Sequence, residues 1–192
     1  LAWSPDGTCL ASGSGDSTVR LWNAEDGTLL KLFRGPQEEI RDIAWSSDGK
    51  RLASCCGNEV FIWDVASGIQ VQTMLKSGRT LSTVAWSPKG DRLLAGGRDN
   101  VIYWVETENW ICLAMRKEHQ KGIRSIRISP DGSTVASADQ SGVIIIWDLE
   151  LAVPLHILRP DRPYERLDIA GIQGITEAQK MTLRALGAIG DE

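Results

Sequence analysis

Residues 1–27 read LAWSPDGTCLASGSGDSTVRLWNAEDG, and this stretch decides the fold because it recurs in weakened form as far as residue 158. Leu1, Ile43, Val84 and Ile126 open four units spaced 42, 41 and 42 residues apart. Two residues on stand Trp3, Trp45, Trp86 and, as a departure, Ile128. A turn follows in each unit: Ser4-Pro5-Asp6-Gly7, Ser46-Ser47-Asp48-Gly49, Ser87-Pro88-Lys89-Gly90 and Ser129-Pro130-Asp131-Gly132. Then come an apolar run (LASG, LASC, LLAG, VASA) and a second run ending in Trp22-Asn23, Trp63-Asp64, Trp104-Val105 or Trp147-Asp148. Seven of the eight tryptophans fall on these two repeat positions, so the pattern is not an accident of composition. A fixed period near 40 residues marks a repeat architecture.

Each unit reads as four short strands. In the first, strand a covers residues 1–4, strand b 8–12, strand c 18–22 and strand d 28–33. Between a and b, Pro5 presets φ for a tight turn and Gly7 tolerates the left-handed backbone that reverses the chain. The same elements are expected near 40–46, 50–55, 59–64 and 70–75, near 81–87, 92–96, 100–105 and 110–116, and near 123–129, 134–138, 143–148 and 153–158. Val143-Ile144-Ile145-Ile146-Trp147 is apolar at every position, which for a strand requires cover on both faces. Each small sheet must therefore be sandwiched between neighbours, and radial stacking of four-stranded blades meets that need. The expected class is all-β, a partial β-propeller of four antiparallel blades at 1–34, 40–75, 81–116 and 123–158.

These residues together make the chain resemble the tryptophan-aspartate (WD) repeat β-propeller family over positions 1–158. The resemblance implies a bracing tetrad in each blade: a His before strand a, a Ser or Thr in strand b, an Asp in the b–c turn and the Trp of strand c. Unit one supplies Ser12, Asp16 and Trp22. Unit four supplies His119, Ser137 and Trp147, with Ser141 at the Asp position and Asp139 two residues earlier. Unit two keeps Ser54 and Trp63 but has Gly35-Pro36 where Gly-His would stand. Unit three keeps Trp104 but has Ala95 for the Ser, and one residue is missing from the b–c turn of both middle units. These nine residues, Ser12, Asp16, Trp22, Ser54, Trp63, Trp104, His119, Ser137 and Trp147, are read as scaffold.

Composition bounds the function. With 192 residues, 24% charged residues and a net charge of −4, the chain shows no basic face of the kind that tracks phosphates, so no nucleic-acid partner is expected. No apolar run reaches membrane-spanning length, and no signal peptide is read at residue 1. Cys9, Cys55, Cys56 and Cys112 form no C-x-x-C pair, and Cys55 and Cys56 point to opposite faces of a strand, so buried thiols in a reducing, cytoplasmic setting are expected rather than a metal site. Lys76-Ser77-Gly78-Arg79-Thr80 lacks the spacing of a phosphate loop and leads into a strand, not a helix. His156 has no neighbours that would complete a metal site. No catalytic, cofactor-binding or metal-ligating residue is assigned.

Function is instead expected on the loops between strands b and c and between d and a, where exposed side chains vary while the scaffold does not. Gln37, Glu38, Arg79, Arg98, Asp99, Glu118 and Lys121 are the candidates for contacts with other proteins or with upstream domains of the same chain. The reading is of a non-catalytic interaction scaffold or sensor. The alternative is the regulatory half of an enzyme, a signalling NTPase or kinase, whose catalytic domain lies upstream.

The end of the chain leaves the repeat. RPDRPYER at 159–166 reads as an extended connector, 159–175 as a whole holds a fifth strand a at 167–170, and residues 171–174 break the chain. Thr176-Glu177-Ala178-Gln179 forms a capping box opening a helix within 176–188 that Gly187 stops. Ala178, Met181 and Ala185, with Leu183 or Leu186, give it an apolar side expected to dock on the propeller or a neighbouring domain. RPYERLDIAGIQGITEAQKMTLRALGA resembles the tails of bacterial WD-repeat proteins that carry a signalling NTPase of the STAND type (NACHT or NB-ARC). Leu1 falls inside a repeat, so the sequence reads as a fragment of a longer polypeptide, and the tail's resemblance implies that the fragment is the C-terminal part of a larger bacterial signalling protein.

Overall fold

The computed structural model describes residues 1–35, 37–159, 167–170, 172 and 174–190. Two compact units divide the chain, Leu1–Leu158 and Arg159–Glu192. The first holds four antiparallel sheets of four strands, each sheet in simple chain order. Blade 1 comprises β1 (Ala2–Trp3), β2 (Cys9–Gly13), β3 (Thr18–Asn23) and β4 (Leu29–Arg34). Blade 2 comprises β5 (Ile40–Trp45), β6 (Arg51–Cys56), β7 (Glu59–Asp64) and β8 (Gln70–Lys76). Blade 3 comprises β9 (Leu81–Trp86), β10 (Arg92–Gly97), β11 (Ile102–Glu106) and β12 (Cys112–Arg116). Blade 4 comprises β13 (Ile123–Ile128), β14 (Thr134–Asp139), β15 (Ile144–Asp148) and β16 (Pro154–Leu158). The architecture is the all-β set of blades expected from the repeat.

Innermost strands meet one another in chain order, β1 on β5, β5 on β9 and β9 on β13. Between blades lie three apolar seams. Ala11, Val19, Leu21 and Phe33 of blade 1 pack against Ile40, Ile43, Leu52, Phe61 and Trp63 of blade 2. Ala53, Val60, Ile62 and Met74 meet Leu81, Val84, Leu93, Tyr103 and Val105 between blades 2 and 3. Leu94, Ile102 and Trp104 meet Ile123, Ile126, Val135, Ile145 and Trp147 between blades 3 and 4. Each large side chain so buried stabilises the fold by roughly 1.5–3 kcal/mol of transfer free energy. Strands d stay outside, and Ile69, Val71, Leu113, Met115, Leu155 and Ile157 are exposed on them or at their starts.

The a–b turns show why Ser-Pro-Asp-Gly recurs. In blade 1 the Ser4 hydroxyl donates to Asp6 at 2.6 Å, and Ser4 Oγ accepts the Cys9 amide at 2.9 Å. Blade 2 repeats this with Ser46, Asp48 and the Arg51 amide, and blade 4 with Ser129, Asp131 and the Thr134 amide. In blade 3 Lys89 displaces the Asp, and Ser87 donates to Asp91 at 2.8 Å instead. The last turn residue is Gly90 at φ 79°, and its counterparts Gly7, Gly49 and Gly132 are also left-handed.

Strand register separates blade 3 from the rest. Trp22 lies opposite Leu10, Trp63 opposite Leu52 and Trp147 opposite Val135. In blade 3 Val105 takes that place, opposite Leu93, and Trp104 lies opposite Leu94. Because side chains alternate, this one-residue offset turns Trp104 to the other face of its sheet. Trp63 and Trp147 reach the preceding blade, whereas Trp104 reaches the following one. The cause is the hairpin loop. Blades 1, 3 and 4 keep five residues between paired positions, 14–18, 97–101 and 139–143, with Ser17, Asn100 and Gly142 left-handed at the fourth. Blade 2 shortens its loop to Gly57-Asn58 and so restores Trp63 to its place. The missing residue is thus lost from the turn in blade 2 only; in blade 3 the loop keeps its length and the strand carries the deficit.

In the second unit Thr176 caps α1 (Glu177–Ala185), its Oγ1 accepting the Gln179 amide while Gln179 Oε1 accepts the Thr176 amide at 2.8 Å. Leu186 is the C-cap, and Gly187 at φ 108° ends the helix as its position requires. On the apolar side of the helix Ala178, Met181, Ala185 and Leu186 are exposed and Leu183 is half-buried. Residues 167–170 do not form a fifth strand a. Asp168 makes an isolated parallel bridge with Ile189, closed by the Ile169 amide on the Ile189 carbonyl and the Ile189 amide on that of Leu167. A strand a pairs antiparallel with the strand after it, and here the chain turns back on the end of the helix instead. Positions 160–166 of the expected connector, and 171 and 173 of the expected break, lie outside the described residues.

Candidate functional site

The scaffold residues come together in blade 4. Trp147 Nε1–H donates to Ser137 Oγ at 2.7 Å, and His119 lies 2.7 Å from Ser137 Oγ through Nε2 and 3.1 Å from Asp139 Oδ2 through Nδ1. One proton arrangement gives every group a partner: Ser137 donates to Nε2, and Nδ1–H donates to the carboxylate. Asp139 fills the acidic place, and Ser141 donates its hydroxyl and amide to Asp139 Oδ1. Burial raises the Asp139 pKa, but the Ser141 donors, His119 and the Val143 amide outweigh it and hold the carboxyl below its ordinary range. A Ser-His-Asp set invites comparison with a nucleophile and its base. Yet His119, Ser137 and Asp139 are 2%, 0% and 5% exposed and already bonded to one another, so no substrate reaches them.

The other blades hold parts of this set. Ser12 accepts from Trp22 at 2.8 Å and Ser54 from Trp63 at 2.9 Å. Asp16 engages Thr18 and Arg20, both at 2.5 Å; the Thr18 hydroxyl first, then Arg20, holds its carboxyl far below the ordinary range. Among the described residues Trp104 joins no network, and its buried Nε1–H has no partner. It faces away from Ala95, so the missing Ser hydroxyl explains only half of this; the register offset is the rest. Two of the four cysteines are buried, with burial raising the Cys55 thiol to about 12, while Cys9 is half-buried and Cys112 exposed. Among the described residues no cluster of His, Cys, Asp and Glu is placed to hold a metal ion. His156 is exposed.

The loop residues lie where strands b end and strands a begin. Gln37, Glu38, Arg79, Arg98, Glu118 and Lys121 are exposed, and Asp99 is half-buried. Asp99 is already committed, for its Oδ2 accepts from Tyr103 Oη at 2.6 Å and its Oδ1 from the Val101 amide. It stands in blade 3 as Asp16 does in blade 1, third in the loop and four residues before its strand-c partner.

Two cavities open among these loops. Gln37 and Glu38 line one of about 300 Å³ with Cys56, Asn58, Glu59 and Phe61. Arg98 lines another of about 360 Å³ with Glu39, Arg41, Ser82, Arg124 and Gln140, so blades 2, 3 and 4 each contribute. Sequence reasoning passed over Arg41, Ser82 and Arg124, although each directly follows the first apolar residue of its strand a, in Ile40-Arg41, Leu81-Ser82 and Ile123-Arg124. The lining is fixed by backbone contacts. Arg98 N–H donates to the Thr80 carbonyl and Gln140 N–H to that of Gly122. A Cβ on Gly122 would lie 3.3 Å from Arg98 Cα, so this loop passes where only glycine fits comfortably.

Residues 1–23, 27–64, 69–104 and 110–148 match the family described as WD domain, G-beta repeat. The chain is 31% identical over 154 residues to WD repeat-containing protein 1-A of Xenopus laevis, covering 76% of this chain and 25% of that protein. It is 28% identical over 180 residues to WD repeat-containing protein WDS homolog of Arabidopsis thaliana, covering 89% and 34%, and 29% identical over 151 residues to that plant's Actin-interacting protein 1-2, covering 74% and 25%. The chain thus spans about a quarter to a third of the length of these relatives. Four family matches, the four blades they fall on and the buried Trp147–Ser137–His119–Asp139 set together place the chain in the WD-repeat family.

Proposed function

We propose that the chain is a non-catalytic protein-docking scaffold whose working surface is the end of the blades that carries the b–c and d–a loops. One observation supports this reading: His119, Ser137, Asp139 and Trp147 are consumed inside a blade, while Gln37, Glu38, Arg79, Arg98, Glu118 and Lys121 stand exposed at one end of the sheets. A rigid frame that presents differing side chains on successive loops suits recognition of a partner over an extended area. The relatives' larger size agrees with a module inside a longer polypeptide. The tail's resemblance to proteins of the STAND type supports the finer proposal of a cytoplasmic sensor that restrains or releases an effector.

Site-specific photocrosslinking in cells tests the platform. A benzophenone side chain at Gln37, Arg79 or Lys121 should give protein adducts, and one at Gln72 or Leu113 on strands d should give few. Equal or greater yield from the strands d would overturn the assignment.

A further inference from the structure

We propose that the cavity shared by blades 2, 3 and 4 binds an acidic peptide segment, with Arg98 and Arg124 gripping its anionic groups. This deepens the docking reading above and rests on it. In a chain of net charge −4, three guanidinium groups from three blades converge on one cavity of about 360 Å³. Such a concentration of like charge is unfavourable unless a counter-charge accompanies it.

The carboxylates nearby do not supply that counter-charge in full. Glu39 pairs with Arg41. Asp99, next to Arg98 in sequence, is turned to Tyr103 and the Val101 amide. Among the described residues neither Arg98 nor Arg124 has a carboxylate within ion-pair distance. Both are exposed, so an incoming group meets them without unfolding anything. Guanidinium presents a planar fork of donors matched to the two oxygens of a carboxylate or to a phosphate. Ser82 and Gln140 add neutral donors on the same lining. The packed loop at Gly122 and the hydrogen bonds from Arg98 and Gln140 hold the backbone in place, so the loss of freedom on binding falls mainly on the arginine side chains.

The test uses the whole chain and a fluorescein-labelled peptide containing four consecutive glutamates, with fluorescence anisotropy as readout. The expected result is saturable binding that weakens with salt, because exposed charges are screened. It should be lost when glutamine replaces glutamate. The double variant Arg98→Gln/Arg124→Gln should weaken binding at least tenfold with an unchanged circular dichroism spectrum and melting temperature. The pair Lys50→Gln/Lys89→Gln, on turns at the other end of the blades, should bind within twofold of the parent. A second peptide with phosphoserine for glutamate separates the two sources of anionic charge, the tighter binder naming the one recognised. Undiminished binding by the arginine variant, or equal binding of the glutamine peptide, overturns the proposal. If photocrosslinking still places partners on the loop end, only the acidic ligand is wrong; if it does not, the platform falls as well.

Discussion

At the residue scale, the four strand-c tryptophans are not equivalent. Trp22, Trp63 and Trp147 each donate to a serine, and Trp104 has no acceptor among the described residues. A buried donor without an acceptor costs about 1–3 kcal/mol. Trp104→Phe removes that donor with some loss of volume, whereas Trp63→Phe and Trp147→Phe strand a serine as well. The first should therefore be less destabilising than either of the others by about 1–2 kcal/mol in urea titrations. Asp139 has a pH signature. Its folded pKa is depressed, so its contribution is present above the unfolded value near 3.8 and is lost as pH falls through the folded one. Asp139→Asn should cost about 1.5–3 kcal/mol at neutral pH, and the gap to the parent should narrow below pH 3.8 in the same titrations. A gap that holds constant would mean that the carboxylate charge is immaterial.

At the element scale, what the sequence made legible was set by local chemistry. Ser, Pro or Asp with Gly at each a–b turn, and Thr176 with Gln179 at the helix start, act over three to five residues, and both turns and cap stand where those residues place them. The strand-c register was not legible, because a one-residue deficit can be absorbed by a loop or by a strand. Blade 2 took the first course at Gly57-Asn58 and blade 3 the second. The arginine cavity escaped for a related reason, since Arg41, Arg98 and Arg124 are distant in sequence and meet only when blades stack. The helix yields its own prediction. A nine-residue helix with no buried residue depends on its cap, as so short a segment is marginal by propensity alone. Thr176→Ala should cost about 1 kcal/mol of helix stability, read as lost hydrogen-exchange protection at Lys180 and Met181 and unchanged protection in the blades.

At the scale of the whole molecule, apolar mass is spread unevenly among the seams. Phe33, Phe61 and Trp63 lie between blades 1 and 2, with Phe33 and Trp63 edge to face at 5.7 Å. Trp104 and Trp147 meet at 5.5 Å between blades 3 and 4. Between blades 2 and 3 the one buried aromatic among the described residues is Tyr103. The strands a add polar links along the inner side: Asp42 accepts from the Thr83 hydroxyl and the Val84 amide, and Thr83 Oγ1 accepts the Ile126 amide. Blades 2, 3 and 4, which share the arginine cavity, are therefore also tied by one run of hydrogen bonds. The reversed Trp104 turns this arrangement into a built-in spectroscopic reporter. An indole proton without an acceptor resonates upfield of bonded ones, so in a nitrogen-15 spectrum Trp104 should stand apart from Trp22, Trp63 and Trp147. Sealed between blades 3 and 4, that proton can trade with deuterium only when the two blades part, and its rate would clock their opening without any added label.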